Sequence, residues 1–338
     1  MSPLHYPFPE VPAPGDTLQV APGIHWLSMP LPFQLDHINL WLLEDAGGWT
    51  VVDTGIGNRE TRALWDKILA KRQNAKRIIV THYHPDHAGN AAWLAQRLGA
   101  ELWMTQGEYL TAHAVRSGGA GYTTEAVLAV FRRNGLDAAR AAAMSTRPNR
   151  YAELVPEFPL SYRRIIEGDR LRINGLEWRA FIGHGHAPEH LSLYCEALNV
   201  VIAGDMLLST ISTNVSVWSI DPEGDPLRLF LESLARYREL PPDVLVLPSH
   251  GKPFRGAHAR VAALEKHHAA RLRELTESLK DEPRSAGELL GVLFRRPLDA
   301  HQTFFAMGEA IAHLHYLYYA GKARRALGKD GIIRYEPS

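Results

Sequence analysis

The sequence predicts an α/β (α+β) fold in which helices cover a mixed β-sheet, with a helical C-terminal domain after it. Three observations predict this fold. Short apolar runs bounded by turn residues fill positions 18–55, strand-like and helix-like segments alternate up to about residue 247, and helical patterns replace the strands after Phe254.

The first hundred residues predict a β-meander that leads into alternating strands and helices. Gly47-Gly48 is typical of a hairpin turn, and Gly99 is placed to end a helix. Apolar residues recur at helical spacing between positions 59 and 70. The predicted strands are 24–27, 38–43, 49–52, 78–80 and 102–104, and the predicted helices are 59–70 and 90–98.

The middle of the chain predicts a helical insertion followed by a second group of strands. Ala-rich helical segments, broken at Gly118-Gly119 and Gly135, indicate an insertion at about 107–149. An amphipathic helix is expected at 227–240. The strands predicted after the insertion are 171–173, 178–182, 191–195, 200–203 and 244–247.

The last eighty residues predict helices and one small β-structure. Gly328 and Gly331 separate short strands within 321–335, a pattern typical of a β-wing. The predicted helices are 257–280, 286–294 and 303–319. We therefore expect an N-terminal extension (1–17), a main domain (18–256) that contains the insertion, and a C-terminal domain (257–338).

The charge balance and the N-terminal residues disfavour several classes of protein. The 338 residues include 37 basic and 37 acidic side chains, and this balance argues against strong binding to nucleic acid or an anionic membrane. Residues 1–15 lack the pattern of a secretory signal, and no apolar run approaches the roughly 20 residues that span a bilayer. We expect a cytoplasmic protein without membrane partners. Cys195, the single cysteine, is expected in the core.

A histidine-rich run, His82-Tyr83-His84-Pro85-Asp86-His87, directly follows the predicted strand 78–80. Three imidazoles and one carboxylate within six residues are far more than a polar surface turn requires, and they are ligands that Zn²⁺ prefers. At a strand end, neighbouring side chains can diverge, so one short segment can serve two adjacent ions. The run predicts a metal site.

Further ligand-type side chains follow other predicted strands after a small residue or a short turn. One such residue alone is more often a cap or a turn residue. Several of them together with the histidine-rich run indicate a single site, because α/β sheets build their sites outside the strand ends. These residues are Asp53, His184, His186, His190, Asp205 and His250.

With these motifs, residues 18–254 resemble the metallo-β-lactamase-fold hydrolases, including the hydroxyacylglutathione hydrolases. The resemblance rests on the Asp53-Thr54-Gly55 turn, the histidine-rich run, the segment 183–190, Gly204-Asp205 and His250. It implies an αββα sandwich, in which two mixed sheets pack together with helices outside.

The resemblance also implies a ligand set. It assigns His82, His84 and His186 to one metal, Asp86, His87 and His250 to a second, and Asp205 to a bridge between them. Asp53 resembles the aspartate that braces the ligand loops. His184 competes with His186, but Ala187-Pro188-Glu189-His190 matches the family's spacing after its ligand and favours His186. His190 is then either a support behind the ligands or a structural residue.

The ligand set narrows the class of enzyme. A flavodiiron protein would have Glu where this chain has His84. The β-lactamases proper use a Cys ligand or lack the bridging aspartate, so Asp205 indicates the thioesterase, lactonase and nuclease branches.

The resemblance implies a dinuclear metal-dependent hydrolase with two Zn²⁺ ions, for which iron or manganese could substitute. In it, a metal-bridging hydroxide attacks a small ester, thioester or lactone, and Asp86 orients the hydroxide and passes a proton to the leaving group. Minor alternatives are a mononuclear iron enzyme similar to persulfide dioxygenases and a non-catalytic module. The complete ligand set argues against the latter.

Residues 257–338 resemble the winged-helix domain that some members of this fold carry, among them a β-lactamase-like endoribonuclease. The alternative function is therefore a nuclease whose winged helix binds nucleic acid. Thirteen basic and ten acidic residues from Gly256 onward form a weak footprint for such a partner. We favour a small-molecule substrate, with the wing in solvent or in a homodimer interface.

Overall fold

The structure is a computed structural model that describes residues 4–32, 35–72, 74–119, 121–146 and 150–338. These residues form two compact units, and each unit draws on three stretches of the chain. The first unit takes its described residues from Met1–Ser117, Arg150–Thr213 and Ser233–Val261. The second takes them from Gly118–Asn149, Asn214–Glu232 and Ala262–Ser338.

A seven-stranded sheet in the first unit follows chain order: β1 (Thr17–Ala21), β2 (Ile24–Pro30), β3 (His37–Asp45), β4 (Gly48–Val52), β5 (Ala75–Ile79), β6 (Glu101–Met104) and β7 (Arg163–Arg164). β1 to β4 form an antiparallel meander, whereas β4 to β7 are parallel. The parallel strands therefore end at the same edge of the sheet.

A second sheet of five strands comprises β8 (Arg170–Ile173), β9 (Leu176–Gly183), β10 (His190–Cys195), β11 (Val200–Gly204) and β12 (Leu245–Pro248). β8 to β11 are antiparallel neighbours, and β11 and β12 are parallel. The ligand-type residues lie beside the ends of these strands. They follow β9, β11 and β12 directly or after a short turn, and another stands at the start of β10.

The helices are α1 (Arg59–Leu69), α2 (Pro85–Ala88), α3 (Ala91–Leu98), α4 (Gln106–Arg116), α5 (Thr124–Arg133), α6 (Ala138–Ser145), α7 (Tyr151–Leu154), α8 (Pro226–Ala235), α9 (Ala257–Ser278), α10 (Ala286–Leu293) and α11 (Ala300–Tyr319). None of the described helices has the length and apolar character needed to cross a membrane. The predicted helix 227–240 is in fact α8 followed by a 3₁₀ turn, Arg236–Glu239.

The core of the first unit lies between the two sheets. Trp26 and Trp41 are opposite each other on β2 and β3, and their stacked rings have centroids 6.3 Å apart. Trp178 and Leu193 contribute from the second sheet, and all four side chains are buried. Each such side chain stabilises the folded state by about 1.5–3 kcal/mol or more through removal of apolar surface from water.

Helices pack on the first sheet, and the 3₁₀ turn Arg236–Glu239 contacts the second. α1 packs on β2, and α3 packs on β5 and β6. On the second sheet, the Tyr237 ring contacts Phe181, and its hydroxyl lies 2.7 Å from the Ser192 hydroxyl. The expected αββα sandwich is therefore confirmed. The sequence patterns located ten of its twelve strands. β1 (Thr17–Ala21) was not predicted, and the two-residue strand β7, Arg163–Arg164, is too short and polar to leave a pattern.

The second unit contains α5, α6, α10, α11, most of α9 and the hairpin β13 (Ala323–Leu327) with β14 (Ile333–Pro337). α10 and α11 begin with capping boxes, Ser285 with Glu288 and Asp299 with Gln302, which satisfy the first helical N–H groups. The order of helices followed by a hairpin agrees with the winged-helix-like architecture expected for this part of the chain. Its action as a winged helix stays a prediction.

The predicted insertion at 107–149 contributes to both units. α4 belongs to the first unit, and α5 and α6 belong to the second, where α6 packs on α11. The predicted boundary at residue 257 falls at the first residue of α9, whereas the units divide within this helix, after Val261.

Candidate metal centre

The ligand-type residues lie at one edge of the sandwich, where strands of both sheets end. The histidine-rich run begins three residues after Ile79, the last residue of β5, and Pro85 starts the single-turn helix α2. Proline suits this first helical position because its missing N–H would have no partner there. Because of this turn, the side chain of His84 points to one group of ligand-type residues, and those of Asp86 and His87 point to another.

Four of these side chains form the first cluster: His82, His84, His186 and Asp205. His82 Nε2 lies 2.9 Å from His84 Nδ1 and 3.2 Å from His186 Nε2. His186 Nε2 is 3.4 Å from Asp205 Oδ2. These are four potential ligand atoms that converge on one small volume.

The second cluster contains Asp86, His87 and His250. Asp86 Oδ2 lies 3.3 Å from His250 Nε2 and 3.6 Å from His87 Nε2. His87 and His250 are buried, whereas Asp86 is half-buried. The centre is therefore open to solvent on the side of Asp86 and of the half-buried His84.

Asp205 belongs to the first cluster and also faces the second. Its Oδ2 faces His186 of the first cluster, and its Oδ1 lies 3.6 Å from His87 Nε2 and 3.7 Å from His250 Nε2. One carboxylate thus presents one oxygen to each cluster. This arrangement is what a ligand shared by two cations requires.

The donor atoms fit metal ions in two respects. Four ligands at about 2.0–2.1 Å from a tetrahedral Zn²⁺ stand about 3.3 Å apart, close to the spacings in both clusters. In addition, His87 Nε2 and Asp205 Oδ1 are buried and have no hydrogen-bond partner among the described residues. A buried polar atom without a partner is costly, and a bound cation would satisfy both atoms.

The electrostatics of the two clusters differ. Burial and the neighbouring imidazoles hold the pKa of His82 well below its usual value, and burial with His186 lowers the pKa of His84 to about 3. Both are therefore neutral, which leaves a nitrogen lone pair available to a cation.

At His87, burial opposes the charged form, but the carboxylates of Asp53, Asp86 and Asp205 outweigh it and raise the pKa to about 10. Burial would also raise the pKa of Asp86, but His87 and His250 hold it at about 2. The carboxylates of the second cluster therefore favour a positive charge at His87. A bound metal ion would supply that charge in place of the His87 proton.

Asp53 forms hydrogen bonds with the histidine-rich run and with the residue before it. Its Oδ2 accepts a hydrogen bond from His87 Nδ1 at 2.8 Å, and its Oδ1 accepts one from the Thr81 N–H at 2.8 Å. Its backbone has φ +62°, in the left-handed region that Asp adopts more readily than most residues. The bond from Nδ1 directs His87 Nε2 toward the cluster.

The two remaining histidines of the segment 183–190 lie outside both clusters. His184 is half-buried, and its Nδ1 lies 2.7 Å from the Pro188 carbonyl oxygen. His190 is fully buried, and its Nε2 accepts the Asp205 N–H at 3.0 Å. His190 thus contacts the backbone of the residue that stands between the clusters, and His186 is the histidine that points into them.

Two further residues hold the ligand segments, and the sequence patterns did not indicate them. Asn39 on β3 donates from Nδ2 to the carbonyl oxygens of Pro248 and Gly251, on either side of His250. Glu108 on α4 accepts backbone N–H groups from Tyr83 and Glu189. Burial raises the pKa of Glu108 to about 7. One sequence signal could have indicated Glu108: it follows the end of β6 by four residues, and sites in α/β sheets lie outside the strand ends.

Family models match two parts of this chain. Residues 34–250 match the metallo-beta-lactamase superfamily, and residues 272–338 match the metallo-beta-lactamase-like C-terminal domain. The first match contains every residue of the two clusters.

Several known proteins are similar to the chain over most of its length. A beta-lactamase domain protein from Burkholderia ambifaria has a crystal structure with a TM-score of 0.93 and 46% identity, covering 99% of this chain and 98% of that one. A probable metallo-hydrolase of Bacillus subtilis, YqjP, is 24% identical over 86% of this chain and 91% of its own length. The hydroxyacylglutathione hydrolase GloC of Haemophilus influenzae is 24% identical over 65% of this chain and 86% of its own length.

Proposed function

The chain belongs to the metallo-beta-lactamase superfamily, and from this membership and the geometry of its two ligand clusters we propose that it is a two-metal hydrolase of small esters, thioesters or lactones. The observation that carries the proposal is the position of Asp205. Its two oxygens face different clusters, 3.4 Å from His186 on one side and 3.6 Å from His87 on the other.

In the proposed centre, three residues would hold each ion, and the Asp205 carboxylate would serve both. The ligands are His82, His84 and His186 for the first ion and Asp86, His87 and His250 for the second. The ligand set of imidazole and carboxylate, without thiolate, suits Zn²⁺, although iron and manganese accept the same donors.

Bound ions of this kind lower the pKa of a coordinated water to about 7 and polarise a carbonyl oxygen. Asp86 is the residue that we assign to proton transfer. Its Oδ2 faces His87 and His250, it is half-buried on the open side, and its pKa of about 2 keeps it ionised at neutral pH. Its Oδ1 would take a proton from the attacking water and deliver it to the leaving oxygen or sulfur.

Several observations support a small substrate and hydrolysis without a protein nucleophile. Cys195 is fully buried between the sheets, so its thiol is out of reach of a substrate. Arginines of the C-terminal hairpin are occupied by carboxylates: Arg325 pairs with Glu223, and Arg334 pairs with Asp330. These pairs reduce the positive charge available for a phosphate backbone. A metallo-hydrolase and a hydroxyacylglutathione hydrolase among the relatives agree with this class of reaction.

Metal analysis and a parallel substrate assay test the proposal. We expect close to two ions per purified chain and turnover of a thioester or a lactone, with no cleavage of single-stranded RNA. Asp205→Asn should lose at least about 100-fold in activity, because an amide offers one oxygen where the centre needs two. The exposed Asp243→Asn is the matched control and should keep full activity. A metal-free, inactive wild-type chain would refute the proposal, and RNA cleavage would shift it to a nuclease.

A further inference from the structure

Glu108 is a buried carboxylate that belongs to neither ligand cluster. It lies in the first turn of α4, and its side chain is fully buried. Both of its oxygens accept backbone hydrogen bonds: Oε2 from the Tyr83 N–H at 2.9 Å, and Oε1 from the Glu189 N–H at 2.6 Å. The two donors lie on segments that are more than one hundred residues apart in the chain.

Each of these donors stands next to proposed ligands. Tyr83 lies between His82 and His84, and Glu189 lies three residues after His186. A carboxylate has only acceptors and an amide N–H is only a donor, so one side chain can fix both segments at once. Hydrogen bonds to an ionised group are also shorter and stronger than those between neutral groups.

We propose that Glu108 is a positioning residue that sets the distance between the two loops carrying the three histidines of the first metal site. The inference rests on the proposed two-metal function and names a residue on which one half of that centre depends. Glu108 has no part in proton transfer; it acts through the backbone of Tyr83 and Glu189.

A reciprocal set of contacts between α4 and the same loop supports the assignment. The side chain of Glu189 accepts the Gly107 N–H at 2.8 Å, and the Thr105 hydroxyl donates to the Glu189 carbonyl oxygen at 2.8 Å. Glu189 thereby places a carboxylate at the N-terminus of α4, where the helix dipole favours it. Gly107 permits this approach, because a Cβ there would stand 3.0 Å from the Glu189 carboxyl carbon.

The test is Glu108→Gln in the full-length chain, titrated with Zn²⁺ above the pKa of Glu108. Glutamine keeps the size of the side chain but faces one backbone N–H with an NH₂ group. We expect the affinity of one of the two sites to fall by about 10- to 100-fold, the range for residues that orient metal ligands. We also expect kcat to fall with little change in KM, and excess Zn²⁺ to restore activity.

Glu288→Gln is the matched control, since Glu288 also accepts a backbone N–H at a helix start, from Ser285 at 2.7 Å, but in the second unit. It should leave Zn²⁺ affinity unchanged. Glu108→Asp keeps both acceptors and should retain more affinity than the glutamine variant, and it provides the comparison if that variant does not fold.

The outcomes separate this inference from the proposed function. A wild-type chain that binds two ions, together with a folded Glu108→Gln or Glu108→Asp variant of unchanged Zn²⁺ affinity, would overturn the inference and leave the function standing. A wild-type chain that binds no metal would overturn the function itself. A weakened site that excess Zn²⁺ refills would support the inference.

Discussion

At the scale of single residues, the two clusters differ in what decides the charge of their histidines. In the first, burial keeps His82 and His84 neutral. In the second, carboxylates outweigh burial and raise the pKa of His87 to about 10 and that of His250 above its usual value. Metal binding to the second cluster therefore releases protons, and metal affinity should increase with pH.

His184 and His186 form a natural pair for a mutational test, because they are two residues apart and only His186 points into the cluster. His186→Ala removes an atom 3.2 Å from His82 Nε2, so we expect the loss of about one ion and at least about 100-fold of activity. His184→Ala removes a contact with the Pro188 carbonyl oxygen and should retain both ions and activity within about 10-fold. Metal analysis of both purified variants is the measurement. Equal metal loss in the two variants would contradict the assignment of His186.

At the scale of secondary-structure elements, short strands and tight turns place the proposed ligands. In the second sheet, β8–β12, the proposed ligand segments follow β9, β11 and β12, whereas β10 begins at His190. The loop after β12 is held from the other sheet, since Asn39 on β3 donates to carbonyl oxygens on both sides of His250. Elements of both sheets are therefore needed to complete the centre.

The helix α10 offers a second matched pair, Gly287 and Gly291. A Cβ at Gly287 would stand 2.0 Å from the Gly135 carbonyl oxygen, and neither backbone can yield without displacing α5 or α10. Gly287→Ala should lower the free energy of unfolding by about 1–3 kcal/mol. At Gly291 nothing lies within 4 Å, so alanine should raise it by up to about 1 kcal/mol through its higher helix propensity. Urea unfolding of the two variants measures both effects, and equal shifts would contradict this packing of α10.

At the scale of the whole molecule, each unit is assembled from non-contiguous stretches. α9 contributes its first residues to one unit and the remainder to the other, and Phe131 of the predicted insertion packs against Phe304 of α11. Removing the residues after 261 would therefore strip α5 and α6 of buried contacts. The role of the C-terminal part is better tested by point substitutions than by truncation.

Stability should depend on pH through two buried histidines of the second unit, His268 and His313. Their ring nitrogens lie 3.2 Å apart, and burial lowers their pKa values to about 3 and about 4. In the unfolded chain both have pKa values of about 6.5, so the unfolded state binds more protons between about pH 4 and 6.5. The free energy of unfolding should consequently fall as pH falls through this range, by up to about 1.4 kcal/mol per pH unit for each histidine.

Glu309 has the opposite effect on the pH dependence of stability. Burial raises its pKa to about 7, so the folded state binds more protons than the unfolded state between about pH 4.5 and 7. Its contribution to the free energy of unfolding is therefore lost as pH rises through this range. The measurement is urea unfolding of the wild type and His313→Gln at several pH values and equal metal loading. In this variant the number of protons taken up on unfolding, which sets the slope of the free energy of unfolding against pH, should be smaller by up to one. An unchanged slope in His313→Gln would show that His313 is protonated in the folded state.

The sequence by itself determined which residue types follow which strands. Asp53, the histidine-rich run, Asp205 and His250 could be found because an apolar strand, a small residue or short turn, and a ligand-type side chain are consecutive in the chain. The sheets and most helices were predictable for the same reason, since hydrophobic periodicity is a local property.

The tertiary structure alone decided how these residues combine. The structure shows that Asp205 presents one oxygen to each cluster. It also shows that His186 contacts Asp205, whereas His184 contacts a backbone carbonyl oxygen outside the clusters. Glu108 and Asn39 left no motif, because each acts through backbone groups of segments far away in the chain. Hydrogen bonds between distant segments depend on packing and direction, which the spacing of residues along a chain does not specify.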